Sequence, residues 1–247
     1  MTVILVAAVA AATAVSVKIS SMVTILPAIL AVNKAEFEAK LKKVFGLVDA
    51  IQVDIIDEAW GFEPTIRPKD IADVNTIIKF DFQLMVEEPI NWLDECKTGQ
   101  SRAVFGHVEK MGDPAAFLAK AQIMGFQACL ALDIDTPVEK IADYIWDLDG
   151  LLLMSVEAGR GGQSFEAQVL PKIKAVRQLR HDLPLVIDGG LDVGQIKQCV
   201  EAEWAEEIGE GELRRNFLDI QFAVGNHLFD APDIKQKLTE LQHLGEG

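Results

Sequence analysis

Eight short apolar runs, most of them followed by a stretch long enough for a helix, constrain this sequence more than any other feature. They are Thr24–Leu30, Ala50–Asp54, Phe80–Val86, Ala103–Val108, Gln127–Leu132, Gly150–Met154, Leu185–Asp188 and Ile220–Val224. Each has strand length and is nearly continuous in apolar residues, the pattern of a parallel sheet covered on both faces. Amphipathic stretches fall at Lys34–Val44, Pro114–Met124, Val138–Ile145 and Glu166–Arg180, and Thr136-Pro137 opens the third as N-cap and first helical position. Strands alternating with helices in this number predict a (β/α)8 barrel rather than an open sheet. No Pro/Gly/Ser-rich linker interrupts the series, and 247 residues suit one such unit. The expectation is a single-domain α/β TIM barrel over residues 22–247.

Two segments stand outside the pattern. Met1–Val17 is almost wholly apolar, without the basic start of a secretory leader and shorter than the roughly 20 residues that span a bilayer. Residues 1–21 are read as an extension of unassigned role, and as the one route to a membrane that the sequence leaves open. Glu201–Asp219 carries six glutamates and one aspartate and reads as a solvated acidic insertion. The net charge of −15 argues against nucleic acid and anionic membranes as partners. A small anionic ligand is not excluded, because backbone N–H groups make a locally positive site. Cys96, Cys129 and Cys199 show neither CxxC nor Cys/His spacing and read as buried apolar residues of a cytoplasmic protein.

In a barrel of this kind, side chains that do chemistry come from the C-terminal strand ends. Here Gln52, Asp54, Gln83, His107, Glu109, Asp133 and Asp188 fall at such ends. Leu185–Leu191 ends an apolar strand in a carboxylate followed by Gly189 and Gly190, while Gly159–Gln163 forms a loop whose backbone can approach a ligand closely. Gly225-Asn226 follows the last strand. Glycine turns after strands 6, 7 and 8 are what a phosphate site built from backbone donors needs.

The segments Pro27–Leu30, Gln52–Asp57, Phe82–Val86, His107–Glu109, Met154–Phe165, Asp188–Gly190 and Gly225-Asn226 come in an order and spacing that resembles the ribulose-phosphate 3-epimerase family. The resemblance runs from about Val23 to Phe229 and is most specific in Met154–Phe165 followed by Asp188–Gly190. It implies an isomerase that inverts the carbon beside the ketone of a ketopentose 5-phosphate, in the carbohydrate metabolism of the pentose phosphate pathway. One carboxylate removes a proton and a second carboxylic acid returns one to the other face. By position Asp54 and Asp188 are that pair. Gly161, Gly162, Gln163, Gly189, Gly190, Gly225 and Asn226 match the phosphate-binding loops. Met85 and Met154 match methionines around the reacting carbon, and serve equally well as barrel filler. Family members are commonly oligomers, so a homo-oligomer is left open.

The sequence also departs from the family. Where the family holds a divalent metal with two aspartates and two histidines, the histidine positions are Gln52 and Gln83. The set Gln52, Asp54, Gln83 and Asp188 suits magnesium, manganese or calcium better than zinc or iron, if it holds an ion at all. In the absence of a metal, Gln52 and Gln83 are expected to give N–H bonds to the enediolate. Ala28 replaces a substrate-touching serine, Ile56 a methionine, Glu58 a glycine and Asn226 a small residue. Two alternatives stay open: a catalytically silent sugar-phosphate-binding barrel, and an epimerase for another phosphorylated ketose. Decarboxylase and aldolase relatives place a lysine where this chain has Ile56.

Overall fold

The computed structural model describes residues 23–98, 100–204 and 220–244. The extension at residues 1–21, Met22, and the acidic insertion beyond residue 204 lie outside the described residues. Eight strands, β1 (Thr24–Ile29), β2 (Ala50–Ile56), β3 (Lys79–Met85), β4 (Ser101–His107), β5 (Gln127–Leu132), β6 (Gly150–Met154), β7 (Leu185–Asp188) and β8 (Ile220–Val224), are all parallel and close into one barrel in chain order. β8 completes the ring by pairing with β1. Helices α1 (Lys34–Val44), α2 (Leu93–Cys96), α3 (Pro114–Ile123), α4 (Val169–Leu179), α5 (Val193–Trp204), α6 (Asn226–Phe229) and α7 (Ile234–Gln242) complete the connections, with several 3-10 turns.

Alternation along each strand divides the apolar residues into two bodies. Ile51, Val53 and Ile55 of β2 face outward and join Phe37 and Leu41 of α1 in the layer between sheet and helices. Ala28, Ile56, Met85, Phe105, Leu152 and Met154 belong to a second cluster inside the barrel. Each fully buried leucine, isoleucine or phenylalanine contributes about 1.5–3 kcal/mol, so both layers are strongly driven. The same alternation turns Gln52 and Asp54 to one face of β2, and the register sets Asp54 beside Gln83 and Met154 beside Asp188.

Asn33, Asp113 and Asp233 cap α1, α3 and α7 by accepting N–H bonds at 2.9–3.0 Å. The expected helix at Val138–Ile145 is instead a 3-10 helix over Val138–Tyr144, with Pro137 in the capping position and no side-chain cap. The hydroxyl of Thr136 goes to Glu109 instead, so the opening signal serves another contact. Part of the acidic stretch is structured: Glu203 lies in α5 and pairs with Arg177 at 2.8 Å. The three cysteines are free and buried. Among the described residues no helix is long and apolar enough to cross a membrane.

Candidate active site

A cavity of about 300 Å³ opens at the C-terminal ends of the strands, a size suited to a small ligand. Asp54, Gln83, Asp188, Met85, Met154 and Ala28 line its depth, while the loops after β6, β7 and β8 line its rim. Thr65 pins the end of β2: its hydroxyl donates to the Asp54 carbonyl and accepts from the Ile56 N–H, both at 2.8 Å. On the opposite side the Ser155 hydroxyl and N–H both reach the Asp188 carbonyl, at 2.9 and 2.7 Å. Both carboxyls therefore stand on fixed strand ends.

One amide joins them. Gln52 Nε2 donates to Asp54 Oδ1 at 2.8 Å and to Asp188 Oδ2 at 2.7 Å, and stands 2.6 Å from Gln83 Oε1. An amide nitrogen has two hydrogens for these three acceptors. Gln83 Oε1 itself lies 2.8 Å from Asp188 Oδ2 and 3.1 Å from Asp54 Oδ1, so a proton has to sit between oxygens somewhere in the cluster. A hydroxyl on Asp188 directed at Gln83 Oε1 supplies it. Turning the Gln83 amide over would give N–H bonds to both carboxyls, but would leave its nitrogen 2.6 Å from the Gln52 nitrogen, two donors in contact. With Gln52 as it stands, the first orientation is the satisfied one.

Electrostatics agree. Burial, reinforced by the charge of Asp54, pushes Asp188 up to about 8 despite the Gln52 hydrogen bond. Burial also raises Asp54, with the Gln52 bond opposing. Two carboxyls sharing one donor at this spacing titrate as a pair that holds one proton near neutrality.

The network continues behind Gln83. Its Nε2 meets His107 Nε2 at 3.0 Å and Met154 Sδ at 3.1 Å. His107 Nδ1 lies 3.1 Å from Glu109 Oε2, and a carboxylate there fixes the hydrogen on Nδ1 and leaves Nε2 to accept from Gln83. Against the upward push of burial, bonds from His107, Thr136 and the Asp133 N–H bring Glu109 down to about 2. The ring of Trp60 packs edge-on to His107 at 5.0 Å, and its indole N–H donates to the Ala158 carbonyl at 3.0 Å.

The glycine loops meet at the rim. Gly190 has φ +59°, and a Cβ there would lie 2.4 Å from the Phe165 nitrogen; at Gly189, φ +122°, it would lie 2.6 Å from Val156 Cγ2. Only glycine allows this turn to run against the β6 loop. Gln163 ties that loop together by donating to the carbonyls of Glu157 and Arg160 at 2.6 and 2.9 Å. A Cβ on Gly161 or Gly162 would fall 3.4–3.8 Å from the Asn226 amide, so these residues face one another across the rim. Gly161, Gly162, Gln163, Gly189, Gly190, Gly225 and Asn226 all border the one cavity that also contains Asp54 and Asp188.

Two expectations change. Gln52 is fully buried beneath the carboxyls and does not border the cavity, so its amide acts on the acid pair and not on a ligand. Gln52 also turns nitrogen, not oxygen, into the centre, while its Oε1 is buried without a partner. The all-oxygen set open to magnesium, manganese or calcium is therefore not formed, and among the described residues no three His, Cys, Asp or Glu side chains converge as ligands. A divalent metal is compatible with the family, but these residues as arranged do not fit one. Lys40, Glu36 and His227 also border the cavity and were not singled out in the sequence. Lys40 and Glu36 form an i,i+4 ion pair of α1 at 2.7 Å.

Fold and site together define a (β/α)8 barrel with paired acidic side chains at the floor of its C-terminal mouth and glycine turns around the rim. The profile of the Ribulose-phosphate 3 epimerase family matches residues 24–208. The chain belongs to the ribulose-phosphate 3-epimerase family, a family of isomerases. It is 30% identical to the ribulose-phosphate 3-epimerase of Schizosaccharomyces pombe, over 72% of this chain and 81% of that protein. The Bacillus subtilis ribulose-phosphate 3-epimerase is also 30% identical, over 73% and 87%. Among solved structures, orotidine 5'-monophosphate decarboxylase from Methanocaldococcus jannaschii aligns with TM-score 0.61 at 12% identity, covering 92% of this chain and 100% of that one. Phosphoribosyl anthranilate isomerase from Thermus thermophilus aligns at 0.56 and 13%, over 89% and 98%. At such identities these two speak for the fold alone.

Proposed function

We propose that this chain epimerises a ketopentose 5-phosphate by proton transfer between Asp54 and Asp188, without a metal ion. The observation that carries the reading is the single amide nitrogen of Gln52 bonded to both carboxyls, which stand together on the floor of one cavity. Asp54, ionised, takes the proton from the carbon beside the ketone, and the bonding pair left behind becomes an enediolate. Asp188, protonated because its pKa is raised to about 8, returns a proton to the opposite face and is left ionised. The proton now resides on Asp54, which suits the reverse reaction; exchange with solvent at the mouth restores the starting state.

Gln52 holds the two carboxyls at one place and, by donating to both, limits the cost of having either ionised. Gln83 borders the cavity and, with its Nε2 on His107, keeps its Oε1 toward the Asp188 hydroxyl, which fixes where the proton starts. Met85 and Met154 supply the apolar wall, and the glycine turns with Gln163 and Asn226 receive the phosphate. A purely binding barrel has no use for a carboxyl held protonated, which favours catalysis over the silent alternative.

The test is epimerisation of ribulose 5-phosphate by protein treated with a chelator and assayed for metal by mass spectrometry. The reading expects turnover to survive without bound metal and to disappear in Asp54→Asn and Asp188→Asn. Loss of turnover on chelation, restored by an added cation, contradicts it.

A further inference from the structure

We propose that His227 is the side-chain anchor for the phosphate end of the ligand, an inference that rests on the sugar-phosphate reading above. The cavity floor carries Asp54 and Asp188, and Glu36 stands at its side, so a phosphorylated ligand enters a space already rich in carboxyls. Among the described residues, three side chains lining the same cavity can carry positive charge: Lys40, Arg160 and His227.

Two of the three are committed. Lys40 Nζ donates to the Leu30 carbonyl at 2.6 Å and to Glu36 Oε1 at 2.7 Å, which neutralises it within α1. Arg160 pairs with Glu157 at 3.1 Å and lies 5.7 Å over the Phe62 ring. His227 is held differently. Its Nδ1 lies 2.8 Å from the Leu191 carbonyl oxygen, which only accepts, so Nδ1 carries a hydrogen in either charge state. The bond fixes ring and tautomer without neutralising the group, and Nε2 remains for a ligand.

The local sequence explains the placement. In Asn226-His227-Leu228-Phe229, Leu228 and Phe229 are buried under the barrel end while Asn226 and His227 are exposed at the rim. Asn226 faces Gly161 and Gly162, and Leu191, which holds the imidazole, directly follows Gly189-Gly190. His227 thus stands where the turns after β7 and β8 meet. An imidazole suits a phosphate monoester in both of its protonation states: neutral Nε2 accepts from P–OH, and protonated Nε2 donates to the dianion.

The test uses the full-length chain and two readouts. Nitrogen-15 NMR of the imidazoles, with the His227 signal assigned by its absence in His227→Gln, is followed during titration with inorganic phosphate. The His227 ring nitrogens are expected to shift with saturation while those of His107, His181 and His243 stay near their starting positions. In kinetics, His227→Gln is expected to raise KM for ribulose 5-phosphate and the inhibition constant of inorganic phosphate about tenfold each, with kcat nearly unchanged. An unmoved His227 signal, or unchanged constants in the variant, overturns the proposal even if epimerisation is intact. A phosphate-dependent His227 shift in a chain with no epimerase activity upholds the anchor and removes the catalytic reading instead.

Discussion

Replacing Asp188 with asparagine should abolish catalysis and shift stability in the variant's favour as pH rises, until it exceeds the parent by pH 8. Asp188 is raised from 3.8 to about 8, chiefly by burial and then by the charge of Asp54. Between those values the folded chain keeps a proton that the unfolded chain has released. The contribution of this group is therefore complete below the unfolded value and is lost as pH climbs toward and through about 8. At about 1.4 kcal/mol per unit, a shift of this size sets a ceiling of roughly 6 kcal/mol. Asp188 borders the cavity and meets water there, so about 2–3 kcal/mol is the working figure. Asparagine keeps the shape and cannot ionise, but the Asp188 Oδ2 position faces both Gln52 Nε2 and Gln83 Oε1, so its amide satisfies only one of them, a loss of about 1 kcal/mol that does not vary with pH. Urea denaturation followed by tryptophan fluorescence at pH 4 to 9 should show Asp188→Asn about 1 kcal/mol below the parent at pH 4. By pH 8 the variant should lead by about 1–2 kcal/mol, or roughly 2–8 °C in Tm. A variant less stable than the parent at pH 8, or a gap that does not change with pH, would refute the reasoning.

Three further outcomes follow from the same geometry. Gln52→Leu removes the donor shared by both carboxyls and should lower kcat about a hundredfold with little change in KM, as steady-state kinetics will report. The rate should fall as pH rises past about 8, because Asp188 then loses the proton it must donate. That limb should be absent in the pH profile of inorganic phosphate binding. Gly190→Ala should raise KM for the phosphorylated ketose at least tenfold, since its Cβ would press within 2.4 Å of the Phe165 nitrogen and deform the rim.

Particular elements show what sequence reading could reach. Runs such as Gln127–Leu132 and Gly150–Met154 coincide with β5 and β6 because strands covered on both faces have sharp apolar limits. β2 extends past Asp54 to Ile56, where the chain is still apolar and still paired with β3. Asp54, Asp188, the glycine turns and Asn226 do converge on one cavity, because position on a barrel strand fixes which end a side chain occupies, whereas Glu109 and Asp133 do not line it. The direction of an amide is a different matter. Whether Gln52 turns nitrogen or oxygen inward depends on three neighbours from β2, β3 and β7, a fact of tertiary packing with no local signature. His227 was missed for a related reason: its role comes from a carbonyl 36 residues away.

Solvent isotope exchange addresses the acid pair most directly. Ribulose 5-phosphate incubated with the metal-depleted protein in D2O, then followed by proton NMR, should lose the signal of the hydrogen beside the ketone as deuterium replaces it. The exchange should be absent in Asp54→Asn, whereas Asp188→Asn, which keeps the base, should exchange at most slowly and invert nothing. A signal that persists in full with the parent protein, or exchange that continues undiminished in both variants, would contradict the assignment of Asp54 and Asp188 as the groups that move the proton.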